Sequence, residues 1–445
     1  MLKILKAIAN DIGGKARRFG KVLNVSGQIN KVTLLESCRE LDGKKAVGVD
    51  GVTKEAYVKD LDANISKLSE KLRTDSYNPT PSRRVMIDKP GSSKKRPLGI
   101  SCFEDKIVEK TVATLLSAIY ETKFLDCSYG FRPGRNCHQA IQRVNELIMS
   151  KKVSYVVEAD IRAFFDTLDH EILIKFLEHD IADKKHIRLI RKFLNAGIME
   201  DGKYIEKEEG SPQGSVISPV LANVYLHYVL DLWFEKVVKK HCRGESYLVR
   251  YADDWVCMFQ YEEDARKFYE VLPKRLGKFG LSVAEEKTRI LEFGRFASAS
   301  RKKRGLGKPE TFDFLGFTFY CGQSYQTGRF KVGLKTSRKK TREKLKKLGE
   351  WVKERRNWKM SRIISGINRS LRGYYQYFGI SGNSYSLNKL AQKVERIVFY
   401  YMCKRSQMRK LTWEKFGEIL RKYLPLEKPR IYVEIRKCPT LFAEG

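Results

Sequence analysis

Two aspartates, Asp253 and Asp254, stand side by side in LVRYADDWVCMF, with apolar and aromatic residues on both sides. The pattern predicts a tight strand–turn–strand hairpin with the acids at its turn. An Asp-Asp pair alone is weak evidence, because turn aspartates also satisfy local N–H groups. The apolar flanks argue the other way. Two like charges between strands bound for a core repel unless a cation or a raised pKa relieves them. A divalent metal ion does so naturally. A second segment, VSYVVEADIRAFFDTLDH, supplies a third acid. Val153 to Ile161 alternates with period two, which places Tyr155, Val157, Ala159 and Ile161 on one face. Val156, Glu158 and Asp160 share the other, with Asp160 at the strand's end. Asp166 and Asp169 read as caps of the following HEILIKFLEH helix. Three carboxylates from two strand ends would hold two Mg²⁺ ions about 3.5–4 Å apart. One ion would lower the pKa of an attacking hydroxyl while the other holds a triphosphate.

The chain that must position these acids has 445 residues, enough for two or three packed units. Hydrophobic residues make up 42% and aromatics 11%, which supports a sizeable core and excludes wholesale disorder. Lys and Arg total 87 against 53 Asp and Glu, a net charge of +34 and far more than solubility requires. That excess points to a polyanionic partner, nucleic acid before an acidic membrane surface. The nine cysteines are odd in number and none are at C-x-x-C spacing. This argues against a zinc ribbon or disulfide framework and fits a reducing compartment. The most apolar long stretch, Ser215 to Phe234, contains Pro219, Asn223, His227 and Asp231, so it is no membrane span. The basic N-terminus lacks the apolar run of a secretory signal and leaves an organellar transit segment open.

Periodicity predicts helices over Ile29–Leu41, Lys54–Leu72 and Asp105–Tyr120, and a β-hairpin over RVMIDKPGSSKKRPLGI. Pro219 should open a helix running to about Phe234. From Arg295 to Lys359 there are 20 basic and 5 acidic residues. Four helices are expected after Thr336: Ser337–Arg356, Ser361–Phe378, Leu387–Lys404 and Thr412–Tyr423. A mixed α/β body followed by a basic helical bundle is the expected architecture, divided near 325–336 around CGQSYQTGRF. Tyr374, Tyr375, Tyr377 and Phe378 have the spacing of a helical core, with stacking on nucleic acid as the alternative.

YADD after an upstream D-x-x-x-x-F strand end, with SPQG between them, resembles the palm of reverse transcriptases. The segments KKAVGVDGVT, KPGSSKKRPLGI, YGFRPGRNCHQAI, GSPQGSVISPVLANVYLHYVLD, EEKTRI and FDFLGFTF stand in the order seen in group II intron-encoded reverse transcriptases. LRGYYQYFG resembles the maturase, or thumb, segment that follows; the likeness covers roughly residues 30–405. It implies an α+β right-hand polymerase, with fingers, an antiparallel palm sheet and an α-helical thumb/maturase domain. The implied organisation is an N-terminal extension and start of fingers (1–75), fingers and palm (76–330), helical thumb/maturase domain (331–410) and a short basic C-terminal region (411–445). The implied activity is RNA-directed DNA synthesis with two Mg²⁺ ions, Mn²⁺ able to substitute. Intron RNA binding would assist splicing and mobility. A stand-alone reverse transcriptase of DNA repair or phage defence, and a splicing factor that does not polymerise, are the competing functions.

The resemblance also implies roles for individual residues. Asp160, Asp253 and Asp254 match the metal-binding triad, the carbonyl of Ile161 a further metal contact, and Phe165 the steric gate that excludes a 2′-hydroxyl. Lys89 and Arg96 match residues that grip the triphosphate, as an ammonium and a guanidinium would. Gln213 and Gly214 match the segment against the incoming nucleotide. Lys287 matches a proposed proton donor to pyrophosphate, with a salt bridge to Glu285 and Glu286 as the competing account. Phe314, Leu315 and Gly316 match the primer grip. Arg132 and Arg135 are candidates for template contact, and Arg338, Lys339 and Lys340 open a helix suited to tracking phosphates. The expected partners are RNA template, group II intron RNA, DNA primer or target and deoxynucleotides, without a membrane; oligomeric state stays open. Because the sequence reaches Gly445 without an H-N-H endonuclease motif, the endonuclease-lacking type is expected. A bacterial cytoplasmic ribonucleoprotein is the expected setting, an organellar one the alternative.

Overall fold

The computed structural model describes residues 4–88, 95–200, 202–206, 209–210, 214–404, 411–422 and 425–435. It divides into two compact units, Met1–Ala140 with Val157–Ile290, and Ile141–Val156 with Leu291–Gly445. Helices mix with largely antiparallel sheets and the C-terminal region is helical, as the expected α+β class requires. The strands in chain order are β1 (Ser82–Asp88), β2 (Lys95–Ile100), β3 (Tyr155–Asp160), β4 (Ile198–Glu200), β5 (Lys203–Ile205) and β6 (Ser246–Tyr251). There follow β7 (Asp254–Phe259), β8 (Arg289–Glu292), β9 (Phe312–Phe314), β10 (Phe317–Gln323) and β11 (Phe330–Thr336).

Three sheets result, with strand orders β2-β1-β4-β5, β6-β7-β3-β8 and β11-β10-β9. In the first, β1 and β2 form the expected hairpin, Arg83 opposite Ile100 through Asp88 opposite Lys95; its turn, residues 89–94, lies outside the described residues. The second sheet carries the acids. In β3 the period-two pattern holds from Val157, with Val157 and Ala159 buried and Glu158 and Asp160 half-buried; at its start it does not, since Val156 is buried as fully as Val157 and Tyr155 is half-buried. From Trp255 to Phe259, β7 is buried on both faces, because the helix Glu262–Gly277 covers one side. That helix turns in Phe268, Leu272 and Leu276 at four-residue spacing. Around Phe268 lie the rings of Trp255 at 6.3 Å, Phe234 at 5.7 Å and Phe259 at 5.3 Å. Each such burial contributes about 1.5–3 kcal/mol.

The helix Phe103–Glu121 matches its expected position and buries Ile107, Val108, Val112, Leu115, Leu116 and Ile119 completely. Lys31–Glu40 starts where Asn30 accepts from the backbone N–H of Val32 and Thr33. The helix expected over Lys54–Leu72 is broken into Lys54–Val58 and Leu61–Arg73. The break at Asp60 lets buried Tyr57 and the stripe Ile65, Leu68 and Leu72 both face the core, and Asn64 Nδ2 donates to the Tyr57 carbonyl at 2.9 Å.

In the second unit β10 and β11 pair from Phe317–Thr336 to Gln323–Phe330. The CGQSYQTGRF stretch expected at a boundary is therefore the end of this hairpin and its turn. The helices Arg338–Glu354, Met360–Phe378, Ser384–Cys403 and Trp413–Lys422 correspond to the four expected. Asn383, fully buried, ties the hairpin to them. Its side chain accepts from the Thr336 N–H at 2.8 Å and donates to Thr336 Oγ1 and the Phe378 carbonyl, both at 2.8 Å. No helix among the described residues is long and apolar enough to cross a membrane. Asn383→Ala leaves buried backbone groups unpaired and should destabilise this unit by about 1–3 kcal/mol, read as a lowered thermal midpoint.

Candidate functional site

Arg250 lies opposite Trp255 and Tyr251 opposite Asp254 across β6 and β7, so Ala252 and Asp253 alone form the turn. Two-residue hairpin turns demand a positive φ that Gly or Asn adopts most readily. Here Ala252 holds it, with φ 55°. A left-handed alanine stores strain of about 1–3 kcal/mol and persists only where its surroundings over-determine it. Gly130 is one such neighbour: a Cβ there would lie 2.4 Å from the Ala252 nitrogen.

The strand end at Asp160 is clamped by residues 282–284. The Asp160 carbonyl accepts from the Ala284 N–H at 2.8 Å, and the Arg162 N–H donates to the Ser282 carbonyl at 2.9 Å. Ile161 forms a bridge with Val283 between them. The same run leads into the turn Glu285–Lys287, and Lys287 Nζ forms an ion pair and hydrogen bond with the Asp160 carboxylate. That bond is the main cause holding the Lys287 ammonium above its ordinary range. The hydrogen-bond partner of Lys287 is thus Asp160, while Glu286 stands 3.9 Å from Arg162.

Asp253 feels the charge of Asp160. Burial pushes the Asp253 carboxyl up, the Asp160 charge pushes it further, and Arg250 and Arg96 pull it back. Asp254, half-buried, begins β7 directly beside them. Carboxylate oxygens with the Ile161 main-chain carbonyl are hard donors of the kind Mg²⁺ and Mn²⁺ take. Among the described residues, no group of three or more His, Cys, Asp or Glu side chains is gathered tightly enough to cage an ion by itself. A sparse donor set of this kind fits Mg²⁺, which keeps water and substrate phosphates as its other ligands.

Phe164 and Phe165 sit on a short 3₁₀ turn after the left-handed Ala163, φ 46°. Phe164 is 2% exposed and packs edge-on to Tyr225, whereas Phe165 is half-buried. The two neighbouring rings are thus divided between core and partly open surface. Asp169 caps the helix His170–Asp180 as expected, but Asp166 lies inside the 3₁₀ turn. Gly210 presses on that turn, where a Cβ would meet the Phe165 and Asp166 carbonyls at 2.9 and 2.8 Å. Gly214 presses instead on β2, 2.7 Å from the Gly99 carbonyl by the same measure. Arg96 is exposed on β2 and close enough to act on Asp253. Lys89 and Gln213 lie outside the described residues.

Two arginines serve the protein itself. Arg132 is 6% exposed: Nε and Nη2 bind the Glu121 carboxylate at 3.0 and 2.7 Å, and Nη1 donates to the Leu125 and Ser128 carbonyls. It braces a loop and, being buried, turns its guanidinium to the protein rather than to a template. Arg135 pairs with Asp126 at 2.6 Å and keeps its side chain partly exposed. In the other unit, Leu315 and Gly316 form the turn between β9 and β10, both left-handed at φ 51° and 78°. The Leu315 carbonyl accepts from Tyr377 Oη at 3.0 Å and the Gly316 carbonyl from the Ser337 N–H at 3.0 Å. Phe314 is buried beneath the turn. Tyr374, Tyr375 and Phe378 are core residues, whereas Tyr377 is half-buried. Arg338, Lys339 and Lys340 are all exposed on the first turn of their helix.

Sequence reasoning passed over Glu109 and Arg250. Glu109, 3% exposed, accepts from Ser101 Oγ and the Val216 N–H, both at 2.7 Å, and so anchors the chain just past Gly214 to the helix Phe103–Glu121. Burial pushes its carboxyl up to about 7. A charged residue inside an apolar helical or strand run was the only signal of either.

Comparison with known proteins agrees with the geometry. The family described as "Reverse transcriptase (RNA-dependent DNA polymerase)" matches residues 87–319, and "Group II intron, maturase-specific domain" matches residues 339–423. Group II intron-encoded protein LtrA of Lactococcus lactis subsp. cremoris is 33% identical over 270 residues, 58% of this chain and 45% of that protein. An uncharacterized 91 kDa protein in a cob intron of Schizosaccharomyces pombe is 43% identical over 173 residues, 39% of this chain and 21% of its own length. Nuclear intron maturase 2, mitochondrial, of Arabidopsis thaliana is 29% identical over 181 residues, 32% of this chain and 24% of that one. The matched stretches thus span less than half of each of these relatives.

The elevated Glu109 carboxyl predicts a pH dependence. Below its ordinary value of 4.5 both folded and unfolded chains hold the proton; from there to about 7 only the folded chain does, so Glu109 lowers stability as pH rises through that window. Glu109→Gln removes the dependence. Its thermal midpoint relative to the parent should climb between those two pH values and level off above them.

Proposed function

The chain belongs to the reverse transcriptase family, and on that premise we propose that it is an RNA-directed DNA polymerase that also binds a group II intron RNA and assists its splicing and mobility. The observation that carries the reading is the approach of Asp160 at a strand end to Asp253 on a strained turn, near enough for the Asp160 charge to help push the Asp253 carboxyl up. Such a pair calls for a cation. Reverse transcriptases generally work with divalent metal ions, and Asp160, Asp253, Asp254 and the Ile161 carbonyl would hold two Mg²⁺, or Mn²⁺ in their place. When bound, such ions lower the pKa of the primer 3′-hydroxyl and offset charge on the leaving pyrophosphate.

The remaining roles fall to the chain's own groups. Arg96, with Lys89, would take the triphosphate oxygens; its planar fork suits a phosphate edge. Phe165 offers a half-buried ring on a backbone that Gly210 packs closely against, and would lie beneath the deoxyribose. Gln213 and Gly214 would face the incoming nucleotide, with Glu109 anchoring the segment from behind. Lys287, ion-paired with Asp160, would donate a proton to departing pyrophosphate once a cation takes that carboxylate, since the pair itself makes the ammonium a weaker acid. The Phe314-Leu315-Gly316 turn would grip the primer backbone. Arg338, Lys339 and Lys340 would follow RNA phosphates, since cations at a helix N-terminus oppose the helix dipole and gain from a nearby anion.

The deciding experiment is extension of a DNA primer on an RNA template with deoxynucleotides and Mg²⁺, parent beside Asp253→Ala. The parent should extend and the variant should lose essentially all synthesis while keeping its fold and RNA affinity. A folded, RNA-binding parent that does not extend would leave the splicing factor as the reading. Phe165→Ala should raise ribonucleotide incorporation relative to deoxynucleotide, measured with competing substrates; an unchanged ratio would move the gate to another residue.

A further inference from the structure

Behind the catalytic turn lies an arginine that none of these roles uses. Arg250 and Asp231 are both completely buried. The guanidinium spends all its N–H groups: Nε and Nη2 donate to the two oxygens of Asp231 at 2.7 and 2.6 Å, and Nη2 also to Ser128 Oγ at 2.8 Å. Nη1 donates to Asn223 Oδ1 at 2.9 Å and to the Ala252 carbonyl at 3.0 Å. The backbone of Arg250 is held as well, its N–H by the Cys127 carbonyl at 2.7 Å and its carbonyl by the Tyr129 N–H at 2.8 Å. Asn223 Nδ2 closes the ring by donating to the carbonyl of Gly130 at 2.7 Å, the glycine that backs the Ala252 nitrogen.

The helix that supplies the acceptors is distorted where it does so. Ser218–Leu226 is α-helical, but His227–Asp231 and Phe234–Val238 are π-turns before the helix ends at Lys239–His241. Eight residues along a regular α-helix would leave Asp231 about 80° round the axis from Asn223. The wider π-turn takes up that angle, and both side chains reach one guanidinium. Single π-turns are rare and recur at functional sites. Stability alone gives little reason for the arrangement, since apolar residues of similar shape replace a buried ion pair without loss. Apolar residues would not hold the Ala252 carbonyl.

We propose that Arg250 is a positioning residue: clamped by Asp231 and Asn223, it holds the Ala252 carbonyl and so fixes the left-handed turn that aims the Asp253 carboxylate at the cation site. The inference rests on the polymerase reading for its kinetic consequence and on geometry alone for its effect on cation binding. A loosened turn misplaces one ligand without touching the surfaces that bind primer, template or nucleotide.

The test compares the full-length parent with Arg250→Lys, which keeps the charge but loses the fork, and with the milder Asn223→Ala. Single-turnover extension separates rate constant from active fraction, and Mn²⁺ binding followed by electron paramagnetic resonance reads the carboxylates without turnover. In Arg250→Lys the rate constant per active molecule should fall about 100-fold, the loss expected of a small misplacement. The Mn²⁺ dissociation constant and the half-saturating Mg²⁺ should rise, while affinity for the primer–template stays within about twofold, since that surface is untouched. Asn223→Ala should move the same quantities less. Adding Ala252→Gly to Arg250→Lys should recover part of the rate, because glycine adopts the turn without help. A reduced active fraction with an unchanged rate constant and unchanged Mn²⁺ binding would overturn the proposal, as would a rate loss that glycine does not relieve. If Arg250→Lys does not fold, Asn223→Ala decides by the same readouts. A parent that binds Mn²⁺ but does not extend would fail the polymerase reading, and the Mn²⁺ comparison would still decide for or against the brace.

Discussion

Bringing the carboxylates of Asp160 and Asp253 within each other's field is the constraint from which the neighbouring architecture follows. Left to themselves the charges separate, and no hydrophobic packing acts directly on them. Each is therefore fixed through the backbone beneath it. Asp160 is held by three consecutive contacts with residues 282–284. Asp253 is held by a two-residue turn whose strain is borne by neighbours. Cationic groups stand on several sides: Lys287 on Asp160, Arg96 and the buried Arg250 on Asp253. A bound cation would join this arrangement rather than create it.

The motifs in this unit meet through glycines that exclude a side chain. Gly130 lies on the Asp253 turn, Gly210 on the Phe165 turn and Gly214 on β2. In each case a Cβ would fall under 3 Å from main-chain atoms, so the distance between two functional segments is set by the absence of an atom. Buried polar groups then lock what the glycines allow: Glu109 for the chain after Gly214, and the Arg250 network for the turn. Both are costly to bury and both are well partnered, the pattern expected when geometry rather than net stability is served.

The second unit applies the same means to a different purpose. Its turn at Leu315 and Gly316 is left-handed at both positions, with one carbonyl taken by Tyr377 and the other by Ser337. Tyr377 comes from the helix whose Tyr374, Tyr375 and Phe378 form the core, so the turn and the helical bundle are ordered together. The exposed basic first turn of Arg338–Glu354 begins immediately after Ser337. Positive charge at a helix N-terminus opposes the helix dipole and would be relieved by a bound anion.

Local pattern was enough to reveal the acids, the strand that ends in Asp160, the β1–β2 hairpin, the β6–β7 hairpin that carries Asp253 at its turn, and the four late helices. Those elements depend on side-chain period and turn chemistry, which act over a few residues. Composition was likewise enough to point to a polyanionic partner. Tertiary structure alone decided the rest. The break at Asp60 lets Tyr57 and the stripe Ile65, Leu68 and Leu72 meet one core, and the inward turn of Arg132 answers to Glu121, eleven residues away. Asp160 became the partner of Lys287 across 127 residues. The π-turn that carries Asp231 to Arg250 has no sequence signature, because an α-helix and a π-turn draw on the same residues. What selects between them is a buried guanidinium with five donors to satisfy, a demand that exists only once the strand, the helix and the loop at Ser128 have been brought together.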